Sequence, residues 1–536
     1  MKYYIFQVLA IILFFNINAQ QSCSSLFHLK SKYDDEINNI RILSNNHLLV
    51  AATTSDSSYL NNNLVSVNSS SAAVILELDN NHNVIFSKSF TLSNAQSGDF
   101  IQSKDVLKDN DGNYYLLVNW KGNLKLSTND SINSTMGSTL VKINASGQVM
   151  WYFYLNNTIG TSLSFDNNNI VLLSHSPTQM GYNPSTINII KINKNTGQII
   201  KTKIGSNPWK NIISNKIIFN NNKYYIYLSF YDSIVFNNTK IIGNKSSSAV
   251  LKLDTNFNII NKVILSNHVS NPIEIMDMII DSNQNIFLCG YYQGLSLYVN
   301  DTLQLSRTSF GTIPQMYLGK FSSNLQLQWI KQENHNPSNN NSYNVRYAYK
   351  LAENGNNLYT LSYFNNSIIL GIDTLTGSSL LLIQYDKNGN YIQSEKIAGT
   401  GLNGVYSLNY NPYNQKILLS SKFTTNINIC NNNLIPNGFA DTYLIELDKI
   451  TSIPKFSYLS TLSSLYPNPC NNYLYINTSE SNVTYDIFNI YGNSVMQGIL
   501  PSNKMINTTH LNNGIYLLKI NSYSNSHSVI KFIVQH

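Results

Sequence analysis

The sequence predicts an all-β chain, a ring of seven four-stranded sheets followed by a small β-sandwich. Three observations predict it. A hairpin-like segment recurs seven times, Asn, Ser and Tyr rather than charged residues fill most polar positions, and from Leu465 onward the repeat gives way to a different pattern of strands and turns.

Hydrophobic residues make up 43% of the 536 positions and aromatic residues 12%, enough to fill a core, while only 12% are charged. Asn and Ser favour tight turns because their side chains bond the local backbone, and Tyr, Ile and Val suit half-buried pleated strands. Long stretches of helical period are absent, which excludes an α-helical scaffold. The formal charge of +7 is spread thinly along the chain. Nucleic-acid binding needs clustered Lys and Arg, so no nucleic-acid partner is expected.

Residues 1–19 have the three parts of a secretory signal peptide: Lys2, an apolar stretch from Ile5 to Phe15, and the small Ala19 before Gln20. That stretch falls short of the roughly 20 residues a spanning helix needs. No later run is longer, so no transmembrane segment is expected in the mature protein. Gln20-Gln21-Ser22 lacks a lipoprotein lead-in before Cys23. Cys23, Cys289, Cys430 and Cys470 show no C-x-x-C spacing, which argues against zinc. An oxidising compartment would permit a disulfide, but free thiols, buried or partly buried, are the expectation.

The repeat occupies residues 26–459. Its hairpins begin at Ala72 (AAVILELDNNHNVIFSKSF), Ser138, Ile187, Ser248, Met316, Leu381 and Thr442, each an apolar run, a polar turn and a second strand. Ahead of each lies another strand, turn and strand, with turns near Ser44, Asp109, Asp166, Asn220, Asp281, Glu353 and Asn411. Two hairpins give four strands per unit of about 50 to 68 residues. A single four-stranded sheet cannot bury both faces alone, and stacking seven of them in a ring solves that problem. This is the plan of a seven-bladed β-propeller. Both Leu26–Lys30 and Lys455–Leu459 could supply the outer strand of the last unit. Closure by the N-terminal strand is expected, because it removes a free sheet edge.

The stretch resembles the seven-bladed propeller repeat family of bacterial surface proteins. The matching residues are Asp111-Gly112-Asn113-Tyr114-Tyr115, Lys142-Ile143-Asn144 with Gly147 and Trp151, Lys252-Leu253-Asp254, and Gly290-Tyr291 with Lys320 and Trp329. Several copies lack the Gly and the Trp, so the resemblance rests on recurrence.

Residues 465–536 form a separate unit after a short polar linker, 460–464. Alternating strands and Asn/Gly turns suit a small Ig-like sandwich. The unit closely resembles the type A sorting domain of the type IX secretion system, on Tyr466-Pro467-Asn468-Pro469, the strand and turn ending in Gly492, Leu511 with Gly514 and Tyr516, and the final strand carrying Lys531. The resemblance implies a domain bound by the outer-membrane translocon and a cargo displayed at the cell surface or secreted, with no catalytic residue in the domain.

Site chemistry is sparse. Asp109, Asp111 and Asn113 resemble the start of a calcium loop, but other copies of the turn carry Asn, Ser or Glu and no distal Glu follows, so a plain turn is the preferred reading. Asp followed by Ser or Thr and an aliphatic residue recurs at Ser131, Ser233, Thr302 and Thr374. It looks like the O-glycosylation motif of bacteria that own this secretion system, and equally like a recurring Asx-type turn. No catalytic motif, metal spacing or cofactor fingerprint is present. Two functions remain: a binding or adhesion module for a surface glycan or protein, which the scarce carboxylates favour, and a propeller enzyme acting on extracellular polysaccharide or another polymer.

Overall fold

The structure is a computed structural model and describes residues 23–536 except 33, 61–62, 67–70, 128–129, 178–184, 208–211, 237, 268–270, 307–313, 333–345, 366, 371–372, 399–401, 431, 449–463, 478–482 and 522–526. The expected signal segment 1–19, Lys455–Leu459 and residues 460–463 of the expected linker lie outside the described residues. Those described form strands, turns and bends with no helix. The chain divides into two compact units, Met1–Thr451 and Ser452–His536.

In the first unit the described residues form seven antiparallel four-stranded meanders, numbered here as sheets 1 to 7. Sheet 1 is Glu36–Ile42, Leu48–Thr54, Ala72–Leu78 and Val84–Leu92. Sheet 2 is Phe100–Lys108, Tyr114–Lys125, Ser131–Ile143 and Val149–Asn156. Sheet 3 is Ile159–Asp166, Asn169–His175, Ser185–Asn193 and Ile199–Asn207. Sheet 4 is Ile212–Asn220, Lys223–Phe236, Thr239–Leu253 and Ile259–Ser266. Sheet 5 is Ile273–Ile280, Ile286–Tyr292, Gln315–Phe321 and Leu327–Gln332. Sheet 6 is Arg346–Glu353, Asn357–Phe364, Ser379–Asp386 and Tyr391–Ala398. Sheet 7 has Leu402–Asn411, Lys416–Phe423 and Asp441–Leu447, and takes its fourth strand, Cys23–Lys30, from the start of the chain.

Burial follows from position in the sheet. Ala72–Leu78 is buried at every residue, whereas Val84–Leu92 beside it alternates. The inner strands are covered on both faces by neighbouring sheets, so their sequences read as unbroken apolar runs, while the outermost strand keeps the period of two. Each apolar cluster is filled from two consecutive sheets. Tyr115, Leu117 and Leu140 of sheet 2 pack with Leu163, Ile170 and Leu172 of sheet 3. Leu418 and Leu444 of sheet 7 share a cluster with Ile37, Val50 and Val74 of sheet 1, so the last sheet packs on the first. Full burial of one such aliphatic side chain stabilises by about 1.5–3 kcal/mol.

Sheets are also stitched at their outer edges. Where the second and third strands lengthen or an extra hairpin intervenes, the added arm pairs with the fourth strand of the preceding sheet: Leu92 with Leu124, Ser206 with Val235, Leu265 with Val299, and Leu29 with Leu60. Two tryptophans reach across in the same sense. Trp151 of sheet 2 lies against Gly197 in a turn of sheet 3, and Trp329 of sheet 5 against Gly389 in a turn of sheet 6. A Cβ at these glycines would sit 2.8 Å and 2.7 Å from the indole rings, and both have positive φ, which explains why the turns carry glycine here.

The expectation of free thiols needs correction. Cys23, in the strand that completes sheet 7, is disulfide-bonded to Cys430 in the hairpin Ile427–Ile429/Asn432–Leu434, with Cα atoms 5.5 Å apart. Cys289 and Cys470 are free and buried. The pairing was invisible in linear spacing because the partners stand 407 residues apart and meet only when the terminal strand docks.

The second unit has sheets Ser464–Tyr466/Tyr473–Asn477/Met505–Asn507 and Ser494–Ile499/Thr484–Asn489/Gly514–Asn521/His527–Val534. Leu474, Ile476 and Ile506 from the first sheet and Ile487, Leu518 and Phe532 from the second meet in one buried cluster. Ser464 opens a strand and so belongs to this unit rather than to a linker.

Candidate functional site

The first strand of every sheet breaks register with the second strand by one residue at a matching place. The residues skipped are Asn38, Lys104, Thr161, Asn215, Met276, Tyr349 and Tyr406 in sheets 1 to 7. A bulge of this kind turns neighbouring side chains toward one face. The residue after it is polar in all seven sheets: Asn39, Asp105, Ser162, Lys216, Asp277, Lys350 and Ser407. These seven line a single cavity of about 1100 Å³ bordered by the first strands of all seven sheets.

Of the three carboxylates on the wall, Asp105, Asp277 and Glu274, the first two anchor it. Asp105 accepts from both Nε and Nη2 of Arg41 at 3.2 and 2.8 Å, from Asn39 Nδ2 at 2.7 Å, and from the backbone N–H of Leu163 in sheet 3 at 2.7 Å. Asp277 accepts from Lys216 Nζ at 2.7 Å, from its neighbour Met278 N–H at 2.8 Å, and from Leu351 N–H in sheet 6 at 3.1 Å. Burial pushes the Asp277 carboxyl up, but Lys216, Lys350 and the donated bonds outweigh it and hold the group below the usual range. Both carboxylates are therefore committed to neighbouring cations and backbone.

The remaining cations differ. Lys108 Nζ bonds Glu77 at 2.6 Å. Lys104 and Lys350 have no carboxylate within 4 Å among the described residues. Burial depresses the proton affinity of Lys104 and the Lys350 ammonium adds to the effect, which Glu36 and Asp105 oppose without cancelling. His175, also on the wall, is buried; desolvation first and then Lys104 hold its pKa down to about 4, so the ring is neutral at pH 7. Its Nδ1 accepts the Ser214 N–H at 3.3 Å, which assigns the ring proton to Nε2.

The sequence-derived candidates lie elsewhere. Asp109 is taken up within its own turn: its carboxylate accepts from Asp111 N–H, Asn113 N–H and the Tyr115 hydroxyl at 3.0, 2.8 and 2.7 Å. Asp111 faces Lys194 at 3.5 Å, and among the described residues no group of His, Cys, Asp and Glu is arranged to hold a metal. Ser131, Ser233, Thr302 and Thr374 all fall on the outer arms between second and third strands, but not at one position. Asp130, Asp301 and Asp373 sit at hairpin turns, whereas Asp232 occupies a bulge within Lys223–Phe236. Ser131 and Thr302 are exposed and Ser233 is half-buried.

In the second unit the motif residues mostly hold the fold. Asn468 receives the Ile533 N–H at 2.9 Å and donates to Lys531 O at 3.3 Å, tying Pro467–Pro469 to the last strand. Gly492 takes φ +80° in the turn after Thr484–Asn489. Leu511 is buried, and Tyr516, at the head of the strand opened by Gly514, bonds Asn512 O and stacks on Phe532. Tyr466 stands 55% exposed and stacked on Tyr475 at 5.5 Å, one of the few motif side chains left available to a partner.

Sequence reading missed the cavity wall. Its signal was present: the polar residue stands four positions before each first turn, as Asp105 before Asp109, Lys216 before Asn220 and Asp277 before Asp281.

Residues 464–535 match the family described as secretion system C-terminal sorting domain. The chain is thus a type IX secretion cargo, delivered to the cell surface or secreted. No helix of the described residues is long and apolar enough to cross a membrane. No curated protein matches the chain significantly. Similar solved structures include the polysaccharide lyase Uly1, at 9% identity and TM-score 0.42 over 77% of this chain and 90% of that one. A Synechocystis apocarotenoid oxygenase variant aligns at 9% and 0.36 over 81% and 95%. A DUF4221-family protein from Bacteroides vulgatus aligns at 11% and 0.30 over 67% and 98%. Likeness at this level carries no argument about what the chain binds.

Proposed function

We propose that residues 26–459 are a seven-bladed β-propeller acting as a binding or adhesion module outside the cell, and that residues 465–536 are an Ig-like sorting domain recognised by the type IX translocon. Residues 1–19 serve as the signal peptide for the first crossing. One observation carries the binding reading: of the three carboxylates on the cavity wall, Asp105 and Asp277 are each held by a cation and backbone N–H groups, and Glu274 accepts from the Tyr291 hydroxyl. General acid–base work needs a carboxyl free to exchange its proton with substrate. The rest of the wall offers ammonium, imidazole, amide, hydroxyl and phenol groups, which suit recognition.

The purified mature chain, tested on glycan and protein arrays beside a hydrolase and lyase substrate panel, should bind without turnover. Strong turnover would replace this reading with an enzyme acting on extracellular polymer. Deleting Leu465–His536 should leave the chain in the periplasm, and normal outer-membrane passage of the truncated chain would overturn the sorting assignment.

A further inference from the structure

Three of the cavity's cations have their partners: Arg41 with Asp105, Lys216 with Asp277, Lys108 with Glu77. Lys104 and Lys350 line the same cavity, neither has a carboxylate within 4 Å among the described residues, and the Lys350 ammonium disfavours the charge of Lys104. With Lys108 paired to Glu77, the wall sets Arg41, Lys104, Lys216 and Lys350 against Asp105, Asp277 and Glu274, so it keeps a positive excess even though Glu36 and Asp105 favour the Lys104 charge and Asp277 draws on Lys350. An anion between Lys104 and Lys350 neutralises that excess.

The rest of the wall narrows the kind of anion. A space of about 1100 Å³ is far larger than an inorganic ion requires and is of the size that holds organic ligands. Asn38 and Asn215 occupy bulge positions on the same wall and offer amides, and His175 offers its Nε2–H. The Tyr406 ring is fixed by its hydroxyl, which donates to Glu36 Oε1 at 3.0 Å. Amide and N–H donors suit hydroxyl-rich rings, and a fixed aromatic face suits their C–H surfaces.

We propose that the cavity binds an acidic saccharide whose carboxylate or sulfate sits between Lys104 and Lys350. The proposal rests on the binding reading above and specifies its ligand class. No bond is made or broken: the anion accepts from the two ammoniums and displaces water.

The test is calorimetric titration of the full mature chain with four probes: tetragalacturonate, its methyl ester, a sulfated neutral tetrasaccharide and inorganic sulfate. Tetragalacturonate or the sulfated probe should bind, more weakly as salt rises, with the ester and inorganic sulfate each at least about tenfold weaker. Lys104→Met and Lys350→Met should each weaken the acidic probe about tenfold or more, the scale of one lost charge-assisted bond. Because Lys350 also helps hold the Asp277 charge, Lys350→Arg is the control: keeping the cation, it should melt and bind like the parent to within about threefold, which separates lost charge from lost folding. Equal binding of ester and acid, equal binding by the two Lys→Met variants, or no binding of either acidic probe overturns the assignment. If the Lys→Met variants and parent bind alike, the cavity site fails while the binding-module reading stands; turnover of the probes would remove that reading as well.

Discussion

Asp105 and Asp277, three sheets apart, are held in the same way. Each accepts a backbone N–H from the first strand of the following sheet, Leu163 at 2.7 Å and Leu351 at 3.1 Å, while a cation from the preceding sheet neutralises it. One carboxylate thus joins three consecutive sheets at the cavity wall. Replacing Asp277 by Ala leaves the Leu351 N–H unpaired and Lys216 without its partner, and should lower stability by about 3 kcal/mol in chemical denaturation. Asp277→Asn, which keeps an acceptor oxygen, should lose less. Equal losses for the two would mean that the N–H bond contributes nothing.

The Cys23–Cys430 bond ties the completing strand of sheet 7 to its neighbouring hairpin. Cys23→Ser, Cys430→Ser and the double variant should each be less stable by the same amount, about 2–4 kcal/mol, because all three remove one cross-link. Thiol titration of the unreduced, denatured chain should find two reactive groups, Cys289 and Cys470. Four would contradict the bond.

Asp35 gives a signed pH dependence. Burial, with the Asp441 carboxylate adding to it, raises its pKa from 3.8 to about 7. The folded chain therefore holds a proton that the unfolded chain releases, and the stability gained is complete below about pH 4 and lost as pH rises through 7. His175 acts oppositely, losing stability as pH falls below its ordinary 6.5. Tm followed from about pH 8 to 6.5 should rise for the parent relative to Asp35→Asn, and parallel curves would exclude the shift.

Gly197→Ala and Gly389→Ala should each cost about 1–3 kcal/mol, from left-handed backbone strain plus the collision with Trp151 or Trp329. Tryptophan emission should shift in both variants. An unshifted spectrum with unchanged Tm would show that the indoles do not rely on these turns.

The meander was legible because middle strands buried on both faces read as uninterrupted apolar runs, as in Ala72–Leu78, and because turn residues such as Asp109 and Gly112 mark where strands reverse. The role of Cys23–Lys30 in sheet 7 was legible from the same logic of a sheet edge needing cover. The cavity wall was not. Lys104, Asp105 and Lys350 acquire meaning only when seven short strands are laid side by side in register, and a one-residue bulge decides which side chain faces inward. The disulfide was hidden for the related reason that its partners come from opposite ends of the repeat.

Because the strand beginning at Cys23 pairs with Asp441–Leu447, the first of the described strands must wait for the last strand of the repeat. A half-made chain carries that strand unpaired, with its edge exposed. The sorting domain follows soon after the strand that pairs with Cys23–Lys30, so a chain that already carries its sorting domain also carries both partners of that pairing.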